Sequence, residues 1–132
     1  MQCPFCEIVN KEEKAHIVYE SENVIAFLDI DPINERHVLV VPKIHKSSID
    51  EIQTDIISEI MQVVQKIVIA LKEIYNMDGY SMMQNGGDFC DFGHIHFHIF
   101  PRYKNDGFGW KYPEGTFEFS AEIAERIRRK IF

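Results

Sequence analysis

The apolar positions along this chain change their period several times, and each change marks an element. HIVYE (16–20) and NVIAFLDI (23–30) are short runs rich in β-branched and aromatic residues and read as two strands. DPINER (31–36) reads as a turn, because Pro32 removes a backbone donor and Asp31 and Asn34 suit turn positions. HVLVVPK (37–43) is a third strand, and its unbroken run Val38–Val41 predicts a central strand buried on both faces. From Thr54 to Asn76 the period becomes helical: Ile56, Ile57, Ile60, Met61, Val64, Ile67, Val68, Leu71 and Ile74 form one stripe. Thr54 is the expected N-cap, with Asp55 and Glu59 near the positive end of the dipole and Gly79 in reach of the C-terminal cap.

YSMMQN (80–85) and HIHFHIFPRY (94–103) are the last two strands, separated by the glycine-bounded loop GGDFCDFG (86–93). SAEIAERIRRKIF then reads as a short helix capped by Ser120, with Glu122 early and Arg128, Arg129 and Lys130 late. The order β-β-β-α-β-β-α with short early connections predicts an α+β fold. Its antiparallel sheet has about five strands, with one long helix and a short C-terminal helix. The 132 residues are enough for one domain and too few for two.

Charge and cysteine usage narrow the function classes. A formal net charge of −7 repels phosphate backbones, so sequence-independent nucleic-acid binding is not expected. The N-terminal stretch MQCPFCEIVNKEEK lacks the basic and apolar regions of a signal peptide, and no apolar run is long enough for a membrane span. The expectation is a soluble, cytoplasmic protein. Three cysteines are present, and Cys3 and Cys6 form a C-x-x-C. In that setting the spacing reads as metal binding or thiol redox chemistry rather than a structural disulfide. A redox pair would follow a strand and open a helix, and only two residues precede Cys3, so zinc is the better reading.

Candidate chemistry concentrates in GHIHFHIF, where His94, His96 and His98 alternate with apolar residues. On a strand these three share one face while Ile95, Phe97 and Ile99 share the other. At about 3.3 Å per residue the outer two Cα atoms lie roughly 13 Å apart. Zinc–nitrogen bonds of about 2.0–2.1 Å let two neighbouring histidines meet one ion, but the whole triplet would reach it only at full stretch. At least one of the three must therefore act separately.

HIHFHIF resembles the alternating signature of the histidine-triad family of nucleotide hydrolases and transferases. The resemblance extends over roughly residues 3–103: VIAFLDIDPINERHVLVVPKIH (24–45) is similar to the family's central hairpin, and the long helix and glycine-bounded loop come in the same order. It implies a single domain over 1–132, with a core at 3–103 and a C-terminal extension at 104–132. It also implies cleavage at the α-phosphate of dinucleoside polyphosphates or nucleoside phosphoramidates, through a covalent nucleotidyl-histidine. His96 is the implied nucleophile, His98 the group that holds or protonates phosphate oxygens, and His37 the residue that orients the cluster. Phe5, Ile8, Phe27 and Ile30 match positions that enclose the base, Asp29 the carboxylate that takes the ribose hydroxyls, and Asn85 a polar residue near sugar and phosphate.

The branch with an N-terminal C-x-x-C implies a structural zinc held by Cys3, Cys6, His45 and His94, which leaves His96 and His98 free for chemistry. Family members are typically homodimers, and the wide apolar surface of residues 54–76 is consistent with one. One departure stands out. Where many members carry a Gln-Ser or Ser-Thr pair that donates to the leaving-group oxygen, this chain has Cys90-Asp91-Phe92-Gly93. An ionised Asp91 cannot donate, which leaves it to bind a hydroxyl or amine or to act on the water step. Two other readings stay open: a metal-dependent hydrolase with His96 and His98 on a catalytic ion, and a nucleotide-binding scaffold with incidental activity.

Overall fold

The computed structural model describes residues 3–132. A short helix comes first, α1 (Pro4–Val9), followed by strands β1 (Ile17–Glu20), β2 (Val24–Leu28) and β3 (Val38–Pro42). The long helix α2 (Thr54–Ile74) leads into β4 (Gly79–Met83) and β5 (Phe97–Arg102), and α3 (Ala121–Ile131) closes the chain. The five strands form one antiparallel sheet in the order β1-β2-β3-β5-β4. β3 is central and buried along its whole length, as its apolar run predicts.

Both faces of the sheet are covered, and this explains why β2 and β3 show no polar alternation. Val24 and Ala26 of β2, Val38 and Val40 of β3, and Ile95, Phe97 and Ile99 pack with Ile60, Val63, Val64, Ile67 and Leu71 of α2. Each fully buried aliphatic side chain contributes about 1.5–3 kcal/mol relative to exposure. On the opposite face Ile25, Phe27, Leu39 and Val41 pack with Phe5 and Ile8 of α1. The histidine face of β5 is this second face, so α1 is the element that encloses the site.

Three local expectations need correction. Thr54 is the first residue of α2 rather than its cap; Gln53 occupies the cap position without a side-chain bond, and the Asp55 carboxylate accepts from the Ile56 N–H at 3.0 Å. Gly79 does not cap the helix: the chain already turns extended at Tyr75, and Gly79 opens β4. The last strand begins at Phe97, so His94 and His96 lie in the extended lead-in, where the Ile95 N–H bonds the Lys46 carbonyl at 2.7 Å. Ser120 caps α3 as expected, accepting from the Ile123 N–H at 3.3 Å. That helix buries none of its residues. No helix among the described residues is long and apolar enough to cross a membrane.

Candidate active site

α1 exists because of its ends. Cys3 is extended and caps it, its sulfur accepting from the Cys6 N–H at 3.3 Å, and Pro4 fits the first turn, where no N–H is needed. The same geometry turns Cys3 and Cys6 toward two imidazoles. His94 Nδ1 lies 3.3 Å from Cys3 Sγ and 3.5 Å from Cys6 Sγ, and His45 Nδ1 lies 3.3 Å from Cys6 Sγ. All four donor atoms fall within 4.8 Å of one another. A tetrahedral zinc with ordinary bond lengths places sulfur and nitrogen ligands about 3.5 Å apart, so the set fits. His94 is also prepared as a ligand: its Nε2–H donates to the Pro42 carbonyl at 2.8 Å, which leaves Nδ1 as a lone pair facing the sulfurs. Burial and the neighbouring Cys3 push the Cys6 thiol up to about 11. A bound dication reverses that penalty by favouring the thiolate. The pair does open a helix, half of the redox context, but the two imidazoles at bonding range favour a metal.

Two residues on from His94, a second backbone group sets a second tautomer. His96 is buried, and its Nδ1–H donates to the His94 carbonyl at 2.8 Å. The lone pair therefore sits on Nε2. His37 is buried at the start of β3, and its Nδ1 accepts from the Ile33 N–H at 3.0 Å. Neutral His37 then carries its proton on Nε2 and donates it to His98 Nδ1, 3.0 Å away. His98 in turn keeps its own proton on Nε2. Burial lowers the pKa of His37 and lowers that of His98 to about 4, with the charges of His96 and His37 adding to the effect at His98. Asp29 Oδ2 stands 3.6 Å from His37 Nε2 and 4.0 Å from His98 Nδ1. Its Oδ1 accepts from the Asp31 N–H.

A cleft opens over this face. Strand register builds its floor: Ile17 pairs with Phe27, Phe27 with Leu39, and Leu39 with His98, so the four form a row across β1, β2, β3 and β5. Phe5 and Ile8 of α1 form one wall; Asp29, Ile30, Asp91, Phe92 and His96 also line the space. Phe5 is the hub, with its ring edge-on to Phe27, Phe92, His94 and His96 at 5.0–5.8 Å between centroids. Ile30 is fully exposed at the rim rather than part of a core. Asn85 is half-buried but is not among the lining residues. His37 sits behind His98, outside the cleft. Leu39 and Phe92 line it without having been singled out from the sequence. Leu39 is hidden in an apolar run, and Phe92 depends on a φ of 62° that only the folded turn reveals. Cys90 is buried, and burial raises its thiol pKa.

An antiparallel sheet flanked by one long helix, with an ordered imidazole chain beneath an apolar cleft and a Cys2His2 cluster beside it, defines a class of small α+β proteins. Residues 10–105 match the HIT domain family. The chain is 46% identical over 107 residues to an uncharacterized HIT-like protein of Methanocaldococcus jannaschii, covering 80% of this chain and 82% of that one. It is 32% identical over 139 residues to the adenosine 5'-monophosphoramidase HNT1 of Candida albicans, covering 98% and 91%. A crystal structure of a HIT family protein from Bacillus anthracis superposes with a TM-score of 0.86 at 38% identity, covering 98% of this chain and 94% of that one. A zinc-bound histidine triad family protein from Mycobacterium smegmatis superposes with a TM-score of 0.76 at 31% identity, covering 98% and 92%. The chain belongs to the HIT family.

Proposed function

We propose that this chain is a nucleotide hydrolase that cleaves at the α-phosphate of nucleoside phosphoramidates or dinucleoside polyphosphates through a nucleotidyl-His96 intermediate. The observation that carries the reading is the hydrogen bond from His96 Nδ1–H to the His94 carbonyl, which commits the free electron pair to Nε2 beside the cleft. That pair forms a bond to phosphorus while the bond from phosphorus to the leaving nitrogen or oxygen breaks, and the departing group takes a proton from solvent. Water then attacks phosphorus and gives up a proton to solvent, the Nε2–P bond breaks, its electrons return to His96, and the nucleoside monophosphate is released. His98, carrying its proton on Nε2, donates to a phosphoryl oxygen, and His37 holds it in that tautomer. Phe5, Ile8, Phe27 and Ile30 enclose the base and Asp29 takes the ribose hydroxyls; Asn85, which the resemblance puts near sugar and phosphate, does not line the cleft. Support for the enzyme class comes from relatives named adenosine 5'-monophosphoramidase and adenylylsulfatase.

Cys3, Cys6, His45 and His94 would hold a zinc ion, which supplies structural cross-linking with no open position for substrate. A catalytic metal is the weaker alternative. Asp29, His37 and His98 lie close enough to share an ion. However, the Ile33 N–H on His37 Nδ1 keeps the proton on Nε2, where a metal would need a lone pair. A homodimer and a single domain spanning the whole chain complete the reading.

Rapid quench with a radiolabelled adenylated substrate tests it. Wild type should yield an acid-labile, base-stable protein adduct. His96→Ala should lose both adduct and turnover while binding nucleoside monophosphate, and Cys90→Ala should keep both. A label that tracks Cys90, or normal turnover in His96→Ala, refutes the mechanism.

A further inference from the structure

The cleft has a direction. It runs from the outer strand β1, past β2 and β3, to His96 and His98 at β5, with the Asp91–Gly93 turn at that end. In the hydrolase reading, a nucleoside held by Phe5, Ile8 and Phe27 would bring its phosphate to the imidazoles, and Asp91 and Phe92 line the same space on the leaving group's side. Positive side chains are distributed the other way. The lysines that line the cleft, Lys11 and Lys14, lie between α1 and β1, and Lys11 is paired with Glu20 at 2.7 Å. No Lys or Arg of β3, β5 or the 87–93 segment is among the described lining residues. The ionisable neighbours of the phosphate position are two carboxylates, Asp29 and Asp91, besides the imidazoles.

Asp91 is held in place on both sides. Cys90 is buried, and Phe92 adopts φ 62° with its ring against Phe5 at 5.5 Å. Gly93 comes next at φ 59°, a backbone that favours glycine. Asp91 itself is exposed, and its carboxylate enters no hydrogen bond or ion pair among the described residues. Its charge nevertheless reaches His98, where it favours the protonated imidazole. An ionised carboxylate accepts hydrogen bonds and attracts cations; it cannot donate to a departing oxygen.

We propose that Asp91 is a specificity-determining residue whose carboxylate selects nucleoside phosphoramidates of positively charged amines over substrates whose leaving group is a phosphate or sulfate. This rests on the hydrolase reading above and names its substrate class. Asp91 is exposed, so solvent screens its charge; at an effective dielectric of ~40–80 a like charge several ångströms away alters affinity by about 3–10-fold. A polyphosphate or sulfate leaving group meets that penalty at Asp91, and the described lysines that line the cleft, Lys11 and Lys14, lie toward β1. An amine bearing a second ammonium group meets an attraction of similar size.

The test is a series of nucleoside phosphoramidates of matched length, made with a diaminoalkane, an alkylamine and an amino acid, alongside an adenylyl sulfate and a dinucleoside polyphosphate. Wild-type kcat/KM should fall by about 3–10-fold for each step toward negative charge. Asp91→Asn should flatten that dependence and Asp91→Lys should invert it, with thermal melts confirming that both variants fold. An unchanged order in both variants, or no order in wild type, overturns the proposal while leaving the hydrolase standing, provided the His96 adduct is still trapped. If no compound is turned over and no adduct forms, both readings fall.

Discussion

His94 and His96 each have one ring nitrogen fixed by a backbone carbonyl and His98 one fixed by His37, while His37 has both engaged, so four similar side chains are set in different tautomers and directions. His94 offers its free lone pair to sulfur, His96 offers its own to the cleft, and His98 faces the cleft with a proton. Replacing His98 with Asn should lower kcat by about 10²–10³-fold, as for loss of one stabiliser of developing charge, while the adduct on His96 still forms; quench kinetics will show this. The same variant should change acid stability. In the unfolded chain His98 takes a proton near 6.5, but in the fold only near 4. Between those values the unfolded state binds more protons, so the stability present above about pH 6.5 is lost progressively toward pH 4. Thermal unfolding across that window should lose about 1–3 kcal/mol less in His98→Asn than in wild type. Part of this was legible in the sequence: the period of two put three imidazoles on one face, and reach required at least one of them to act apart, while the choice of His94 came from the family resemblance. The partners of His37 were not legible from spacing, because the Ile33 N–H comes from a turn and His98 from a strand 61 residues away.

Among the elements, α1 is the one the sequence hid. PFCEIV is six residues long, too short for a helical period to show, and an isolated helix of that length is unstable in water. It forms because Cys3 caps it and because Phe5 and Ile8 dock on Ile25, Phe27, Leu39 and Val41. The strands and α2 were legible because their periods extend over many residues and agree with burial. Their ends were less so, since Gln53 and not Thr54 holds the cap position of α2. The dependence of α1 on its anchors gives a prediction. Cys3→Ser should remove one zinc ligand and lower the melting temperature by several degrees, with a smaller effect on turnover per folded molecule. Wild type purified without chelator should carry one zinc per chain by metal analysis, and protein free of zinc would refute the site.

At the scale of the whole molecule, apolar surface remains where one chain has nothing to cover it. Ile69 and Ile74 of α2 are more than half exposed, and Tyr80 and Met82 lie on β4, the last strand of the sheet. An unpaired strand edge and exposed apolar helix residues each suit a two-fold partner better than solvent. Sedimentation at micromolar concentration should give twice the 15.5 kDa chain mass, and a species of one chain only would count against it. The way α1 is anchored also bears on how the molecule is made. Cys3 meets His94 across 91 residues, so the wall of the cleft precedes the sheet in the chain and is fastened just ahead of the last strand. During synthesis that wall leaves the ribosome before the strands it docks on, and its contacts wait until the sheet is complete. Until then the nascent chain has no pocket to fill, so nucleotide can act as a folding ligand only after the last strand has emerged.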